Sequence, residues 1–377
     1  MAYIAGVGNT RYGKVEGSST LSLASEAAHL AMADAGLGVK DIDGVLTGYS
    51  TTLPHIMLAT VIAERMGIRP VYAHAMQAGG ATGVAMVMLA KLLVDSGQCR
   101  AVLALAGENR ASGQSRDQSI QTLAQAGHSD FEVPYGATIP AYYGLLAARY
   151  MHQFGVTGAD LAELAVLMRR HAGTHPDAHL RTPVTLDDVM ASKPIALPLR
   201  LLDCCPVSDG GVAVVVTREP TGAARVRIRG AGQAHLHQHI SCMRDWADCG
   251  AAQAAGRAFA EAGMTTKDVD YLAVYDSFTI TLAMLLEETG FAPRGGAGAM
   301  ARDGRFGVAG DLPLNTHGGL LSFGHCGVGG GLAHLVEAQR QLAGKAGARQ
   351  VKKATTAFIH GDGGVMSSHV SMLLERM

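Results

Sequence analysis

The stretch GGLLSFGHCGVGGG, from Gly318 to Gly331, sets His325 and Cys326 in a glycine-rich turn that runs straight into an amphipathic pattern, LAHLVEAQRQLAG. Glycine permits close backbone approach, and a helix N-terminus adds unpaired N–H groups and a partial positive charge. An imidazole delivered there suits proton transfer beside an acidic or carbonyl-bearing ligand. A cysteine next to a histidine at a helix start is also a setting for a lowered thiol pKa, and so for a nucleophile. A structural turn with a satisfied histidine fits the same letters, because glycine runs alone are weak signals.

Other histidines and cysteines point less sharply. His235, His237 and His239 alternate in AHLHQHI, which on a strand would put three imidazoles on one face. With no carboxylate or cysteine at ligand spacing, they and His128 read as a solvated or subunit-facing surface, and no metal site is expected. The cysteines (Cys99, Cys204, Cys205, Cys242, Cys249 and Cys326) show no CxxC spacing and read as reduced thiols. Cys204 and Cys205 are taken as packing residues, since neighbours diverge along an extended chain.

Positioning such groups requires a framework, and the chain supplies its pattern early. AYIAGVG reads as a strand, Leu21 to Ala35 carries apolar residues at helical spacing before Gly36 closes it, and VKDIDGVLTG reads as a turn and a second strand. Strand, helix, strand favours an α/β fold with parallel pairing. AGLGVKDID at residues 35–43 returns as AGMTTKDVD at residues 262–270, each time after an Ala-rich helix and before a strand. QAGGATGVAMVMLAKLLVDSG, from Gln77, is echoed by GHCGVGGGLAHLVEAQRQLAG, from Gly324, a glycine turn feeding a helix in both. An internal duplication follows, with two equivalent helix N-termini facing one pocket. The chain divides as 1–220 and 221–377, and the segment from about 114 to 201 has no counterpart in the second half. It reads as an inserted loop domain that covers a site or makes a subunit contact.

The totals fit this reading. The chain has 377 residues, 48% hydrophobic, 17% charged and 48 of them glycine, which is enough for two sizeable cores joined by tight turns. A formal charge of −1 gives no whole-surface reason to bind nucleic acid or an anionic membrane. The N-terminus lacks a long apolar h-region and no run approaches ~18 uninterrupted apolar residues, so a soluble, cytoplasmic protein is expected.

GGATG before a helix, LLDCCPVSDGG, YDSFT, NTHGGLLSFGH and the closing HGDGGVMSSH, in that order over essentially the whole chain, resemble the thiolase superfamily, most closely its lipid-transfer-protein or sterol-carrier-protein-type branch. The resemblance implies a five-layered αβαβα fold of two similar halves, a homodimer, and action on coenzyme A thioesters in lipid metabolism. CoA would enter as the thioester substrate, with no tightly bound cofactor. Some members of the branch work with a small zinc-ribbon and OB-fold partner.

Departures from the family pattern decide the chemistry. The nucleophilic Cys of thiolases corresponds to Gly80 in GGATG, and a second reactive Cys to His360 in HGDGG. The Asn or His of the turn before Phe corresponds to Tyr275, and the His of the Gly-His-Pro motif is kept as His325, followed by Cys326 in place of Pro. Claisen cleavage needs a thiolate to accept the acyl group. Retro-aldol cleavage of a β-hydroxyacyl thioester needs only a base for the hydroxyl proton and an oxyanion site for the enolate. Aldolases of the branch lack the nucleophile and use tyrosines at the positions of Tyr275 and His325. The leading expectation is therefore a C–C lyase with Tyr275 and His325 as the acid–base pair and N–H groups near Gly80 or Gly364 as oxyanion donors. Asp276, Asn315 and His317 would orient the pair or border the substrate, and Arg169, Arg170 and Arg181 would meet CoA. Two other readings stay open: an acetyl-CoA acetyltransferase-like enzyme using Cys326, and a non-catalytic subunit of a complex.

Overall fold

The first strand, β1 (Tyr3–Asn9), is buried along its whole length, and α1 (Thr20–Ala35) starts on a Ser19 capping box and ends where Gly36 turns left-handed at φ 68°. In this computed structural model, which describes residues 1–136, 138–221 and 225–377, the first half continues through β2 (Gly44–Gly48), α2 (Leu58–Met66), β3 (Tyr72–Met76), α3 (Thr82–Asp95) and β4 (Ala101–Asn109). An excursion follows: α4 (Arg110–Gly113), α5 (Arg116–Ala124), α6 (Ile139–Phe154), α7 (Gly158–Gly173), α8 (Leu186–Ala191) and a hairpin of β5 (Pro194–Ala196) and β6 (Leu199–Arg200). The chain returns as β7 (Asp209–Thr217) and then runs through β8 (Val226–His235), α9 (Ala251–Ala262), β9 (Tyr271–Val274), α10 (Thr279–Glu288), α11 (Ala297–Arg302), α12 (Val328–Leu342), β10 (Thr356–Gly363) and β11 (Ser368–Arg376).

Nine strands form one mixed sheet in the order β3-β2-β4-β7-β1-β8-β11-β10-β9. Outward from the short antiparallel junction of β1 and β8 at Tyr3↔Arg227 and Ile4↔Val226, both sides repeat one sequence of roles. The fifth place on the second side holds only Leu314, bridged in parallel to Leu272. The repeated letters are repeated wiring. Gly36 and Gly263 cap their helices at φ 68° and 66°. Asp41 accepts the Gly38 N–H and Asp268 the Thr265 N–H, both at 2.8 Å. Asp43 takes the N–H groups of Arg100 and Ala101 at the start of β4, and Asp270 those of Thr355 and Thr356 at the start of β10. Parallel pairing holds for β2 with β3 and β4, and for β9 with β10. It fails for β7 and β11, which run antiparallel to both their neighbours, since a strand reached by hairpin or long excursion escapes the crossover rule.

Helices α3 and α12 lie between the inward faces of the two half-sheets and share one apolar core with both. With α1 and α2 outside the first half-sheet and α9 and α10 outside the second, this gives the expected five layers. The central helices meet where glycine allows it: a Cβ on Gly83 would stand 2.6 Å from the Leu332 nitrogen. In the excursion, α6 and α7 pack over α10 and α11, where Tyr150 donates to Glu287 at 2.6 Å. Strand β8 ends at His235, so His237 and His239 lie beyond it and the three-imidazole face does not form. No three-residue metal cluster and no helix long and apolar enough to cross a membrane occurs among the described residues.

Candidate active site

Tyr275 directly follows β9 and donates its N–H to the His360 carbonyl at 3.0 Å. The strand end is clamped by Asn315, whose Oδ1 accepts from the Val274 N–H at 2.9 Å while its Nδ2 donates to the Val274 carbonyl at 2.7 Å. Asn315 holds this grip at φ 44°, a left-handed conformation that asparagine tolerates. Asp276 faces the other way: it accepts from the N–H of Leu320 at 2.7 Å and of Leu321 at 3.4 Å, and lies 3.2 Å from His334 Nε2. It thereby anchors the wide π-turn Gly319–Phe323 that carries the chain to His325.

His325 is held on its other side by β-type pairing with Val207, its carbonyl accepting the Ser208 N–H at 3.0 Å. Its Nε2 lies 2.9 Å from the Tyr275 hydroxyl. The Gly327 N–H donates to Nδ1 at 3.1 Å, so the ring proton sits on Nε2 and points at the phenolic oxygen. Burial, aided by the charge of Arg110, pushes the imidazole down to about 3, so it is neutral at physiological pH. Burial, with contributions from Cys205, Tyr143 and Asp362, holds the phenol well above its usual range. The result is a neutral imidazole donating to a neutral phenol.

The two glycine turns meet at this pair. A Cβ on Gly80 would overlap the Tyr275 hydroxyl and stand 2.5 Å from the Asp362 carbonyl oxygen. The phenol thus fills the space that a side chain at position 80 would need. A Cβ on Gly79 would lie 2.6 Å from the Gly364 nitrogen, so the Gly79–Gly80 and Gly363–Gly364 turns pack backbone to backbone.

Several expected site residues stand elsewhere. His360 shares a face of β10 with Asp362, opposite Gly361, which faces α3. Its ring is spent on Ser371 Oγ at 2.8 Å and His369 Nδ1 at 3.2 Å, and only its carbonyl serves Tyr275. The Cys326 thiol is fully buried, donates to Tyr12 Oη at 3.2 Å and is pushed up to about 12 by burial, which is no setting for a thiolate nucleophile. Asp276 and Asn315 are also fully buried, with their side chains bound to the backbone of the two segments that carry Tyr275 and His325. Arg169 is bound to Ser322 Oγ and the Thr182 carbonyl and is not free for CoA. Groups that the sequence reading missed include Tyr143, which donates to Asp362 Oδ2 at 3.1 Å beneath Tyr275, and Glu108 and Arg110 beside Gly327. The lone acid within the glycines of HGDGG was the one available signal.

Two family models cover nearly the whole chain: Thiolase, N-terminal domain, over residues 2–220, and Thiolase C-terminal domain-like, over residues 232–376. The chain belongs to the thiolase superfamily. Within it, the likeness extends to sterol-carrier-protein-type members. This thiolase-superfamily chain is 36% identical to the 17-hydroxy-3-oxo-4-pregnene-20-carboxyl-CoA lyase of Mycobacterium tuberculosis over 91% of this chain and 92% of that protein. It is 31% identical to an acetyl-CoA acetyltransferase of Methanothermobacter thermautotrophicus over 97% and 98% of the two chains. Among solved structures it resembles the Ltp2-ChsH2(DUF35) aldolase, with a TM-score of 0.86 at 31% identity, covering 100% of this chain and 97% of that one.

Proposed function

We propose that this thiolase-superfamily protein is a C–C lyase of aldolase type acting on β-hydroxyacyl-CoA thioesters, without a covalent acyl-cysteine intermediate. The observation that carries this reading is the Tyr275 hydroxyl, seated in the space of a residue-80 side chain and hydrogen-bonded by His325. Where a thiolase would place sulfur, this chain places a proton-bearing oxygen. In the bond-forming direction the phenol protonates the oxygen of an aldehyde or ketone as the thioester enolate attacks. In cleavage the phenol first gives its proton to solvent, and the resulting phenolate, hydrogen-bonded by the Nε2–H of His325, takes the β-hydroxyl proton. Electrons from the broken C–C bond pass to the thioester oxygen, for which the N–H groups of Gly80 and Gly364 are the proposed donors. The acyltransferase reading loses its nucleophile at Cys326.

The chain works as two halves, 1–220 and 221–377, with residues 114–201 forming an inserted cover. It is cytoplasmic, takes acyl-CoA as substrate, and needs neither a tightly held cofactor nor nucleic acid or membrane. Homodimerisation through the half-exposed edge strand β3 agrees with the exposed Ile56, Met57 and Val71 beside it. A small OB-fold and zinc-ribbon partner is supported by likeness to the Ltp2-ChsH2(DUF35) aldolase. Incubation with β-hydroxyacyl-CoA, alone and with such a partner, tests the activity: release of a carbonyl product with a shortened CoA thioester supports it, and inertness in both mixtures opposes it.

A further inference from the structure

Retro-aldol cleavage ends with an enolate whose C2 must gain a proton, and Tyr275, placed at the β-oxygen, leaves that step to another group. Most of its neighbours are committed. His325 gives its Nε2–H to Tyr275 and accepts from Gly327 on Nδ1. The Tyr143 hydroxyl goes to Asp362, and the His360 ring is held by Ser371 and His369. Cys205 is not committed. It follows Cys204, which is extended at φ −111° and ψ 140°, so the two side chains diverge. Cys204 sends its sulfur to the Arg200 carbonyl at 3.3 Å, the packing role that the sequence reading gave to both. The buried thiols of Cys249 and Cys326 have acceptors as well, whereas Cys205 Sγ donates to none among the described residues.

Cys205 is built into both catalytic segments. Its N–H donates to the Ser277 carbonyl at 2.9 Å, two residues past Tyr275, and the carbonyl of the next residue, Pro206, accepts the His325 N–H at 3.2 Å. Of the ionisable groups that raise the Tyr275 phenol, the Cys205 thiol acts most strongly, ahead of Tyr143 and Asp362. The side chain packs on the apolar cluster that contains Tyr275, yet the residue is only partly buried, so solvent reaches it. Its recessed place, with the charges of Cys204 and Asp276, holds the thiol well above its usual range, so it keeps its proton and is no resident thiolate nucleophile.

We propose that Cys205 is a further catalytic residue, the acid that protonates C2 of the thioester enolate. This deepens the aldolase reading and rests on it. The S–H bond breaks as the C2–H bond forms, and sulfur keeps the electron pair as thiolate. The transfer runs downhill, since the α-carbon of a thioester is a far weaker acid than a thiol. The proton that Tyr275 took from the β-hydroxyl then passes to the sulfur, directly or through water, which restores phenolate and thiol for the next turnover.

Cleavage of 2-methyl-3-hydroxybutanoyl-CoA in D2O reads this step. The products are acetaldehyde and propanoyl-CoA, and an acid fixed on one face of the enolate delivers deuterium to give a single enantiomer of 2-deuteriopropanoyl-CoA. Cys205→Ala should cleave about 10²-fold or more slowly and give both enantiomers equally. Cys205→Ser, which keeps an exchangeable proton in the same place, should retain the single enantiomer. Both enantiomers from the unaltered enzyme, or a single one from Cys205→Ala, overturns the proposal and leaves the aldolase reading intact. Labelling with methyl methanethiosulfonate, read by mass spectrometry, places the thiol without turnover: pentanoyl-CoA should shield Cys205 and leave the exposed Cys242 reactive. Equal labelling of Cys205 with and without the thioester, or none in either case, removes it from the substrate site. Should Cys205→Ala fail to fold, that labelling of the unaltered protein decides. Shielding of Cys205 in a protein that cleaves no β-hydroxyacyl-CoA would overturn the aldolase reading, and the acid role with it, while keeping the thiol in the site.

Discussion

The hydroxyl of Tyr275 occupies the volume that any side chain at Gly80 would claim. Sulfur at position 80 and a tyrosine at position 275 therefore exclude each other in this backbone, and the missing thiol and the added phenol are one change. Gly80→Ala should displace the ring and destabilise the protein by about 1–3 kcal/mol, the usual range for overpacking. Tyr275→Ala combined with Gly80→Ala should recover part of that loss, a non-additivity that thermal unfolding of the two single variants and the pair would read.

Acid should unfold this protein through its buried imidazoles. Burial depresses His171 to about 4, His175 to about 2 and His369 to about 4. Each folded-state value is below the unfolded one, so the stabilisation is complete above an unfolded pKa of ~6.5 and is lost as pH falls towards those values. Each group contributes a slope of at most about 1.4 kcal/mol per pH unit in that window. Denaturant midpoints measured from neutral pH down to about pH 4 should fall steadily. Because His325 is also held low, at about 3, the cleavage rate of the still-folded enzyme should show no inflection near ~6.5.

Asn315 grips the end of β9 with both ends of its amide. Asn315→Ala removes two buried hydrogen bonds and leaves a β-carbon at positive φ, at a cost of about 2–4 kcal/mol. With its amide buried and bound to Val274, the residue acts through Tyr275, so kcat should fall while KM stays within about twofold. A KM rise with unchanged kcat would restore Asn315 to the substrate wall.

The duplicated wiring makes its own prediction. Asp43→Ala and Asp270→Ala each free two backbone N–H groups at equivalent strand starts and should cost similar amounts, about 1–3 kcal/mol apiece. In the double variant the two costs should add, as expected for separated sites. Strongly unequal costs would argue against equivalence of the two turns.

What the sequence disclosed was local. The Lys-Asp repeat, the helix-closing glycines and the glycine turns before α3 and α12 carry their physics within a few residues, and YDSF and GHC mark the ends that meet. Antiparallel pairing of β7 was hidden because it follows an excursion whose direction of return no local pattern fixes. Tyr143 on Asp362 joins residues 219 positions apart and has no short-range signature. His360 and Cys326 looked reactive by residue type and neighbourhood in sequence, but strand alternation and burial turned both side chains away.

The most direct test of proton transfer through Tyr275 is the single-turnover rate of carbon–carbon cleavage in Tyr275→Phe, with thioester affinity measured on the same preparation. Loss of a general acid–base group predicts a rate lower by about 10²–10⁴-fold with affinity essentially kept. A phenylalanine variant that cleaves at the rate of the unaltered enzyme would contradict the account.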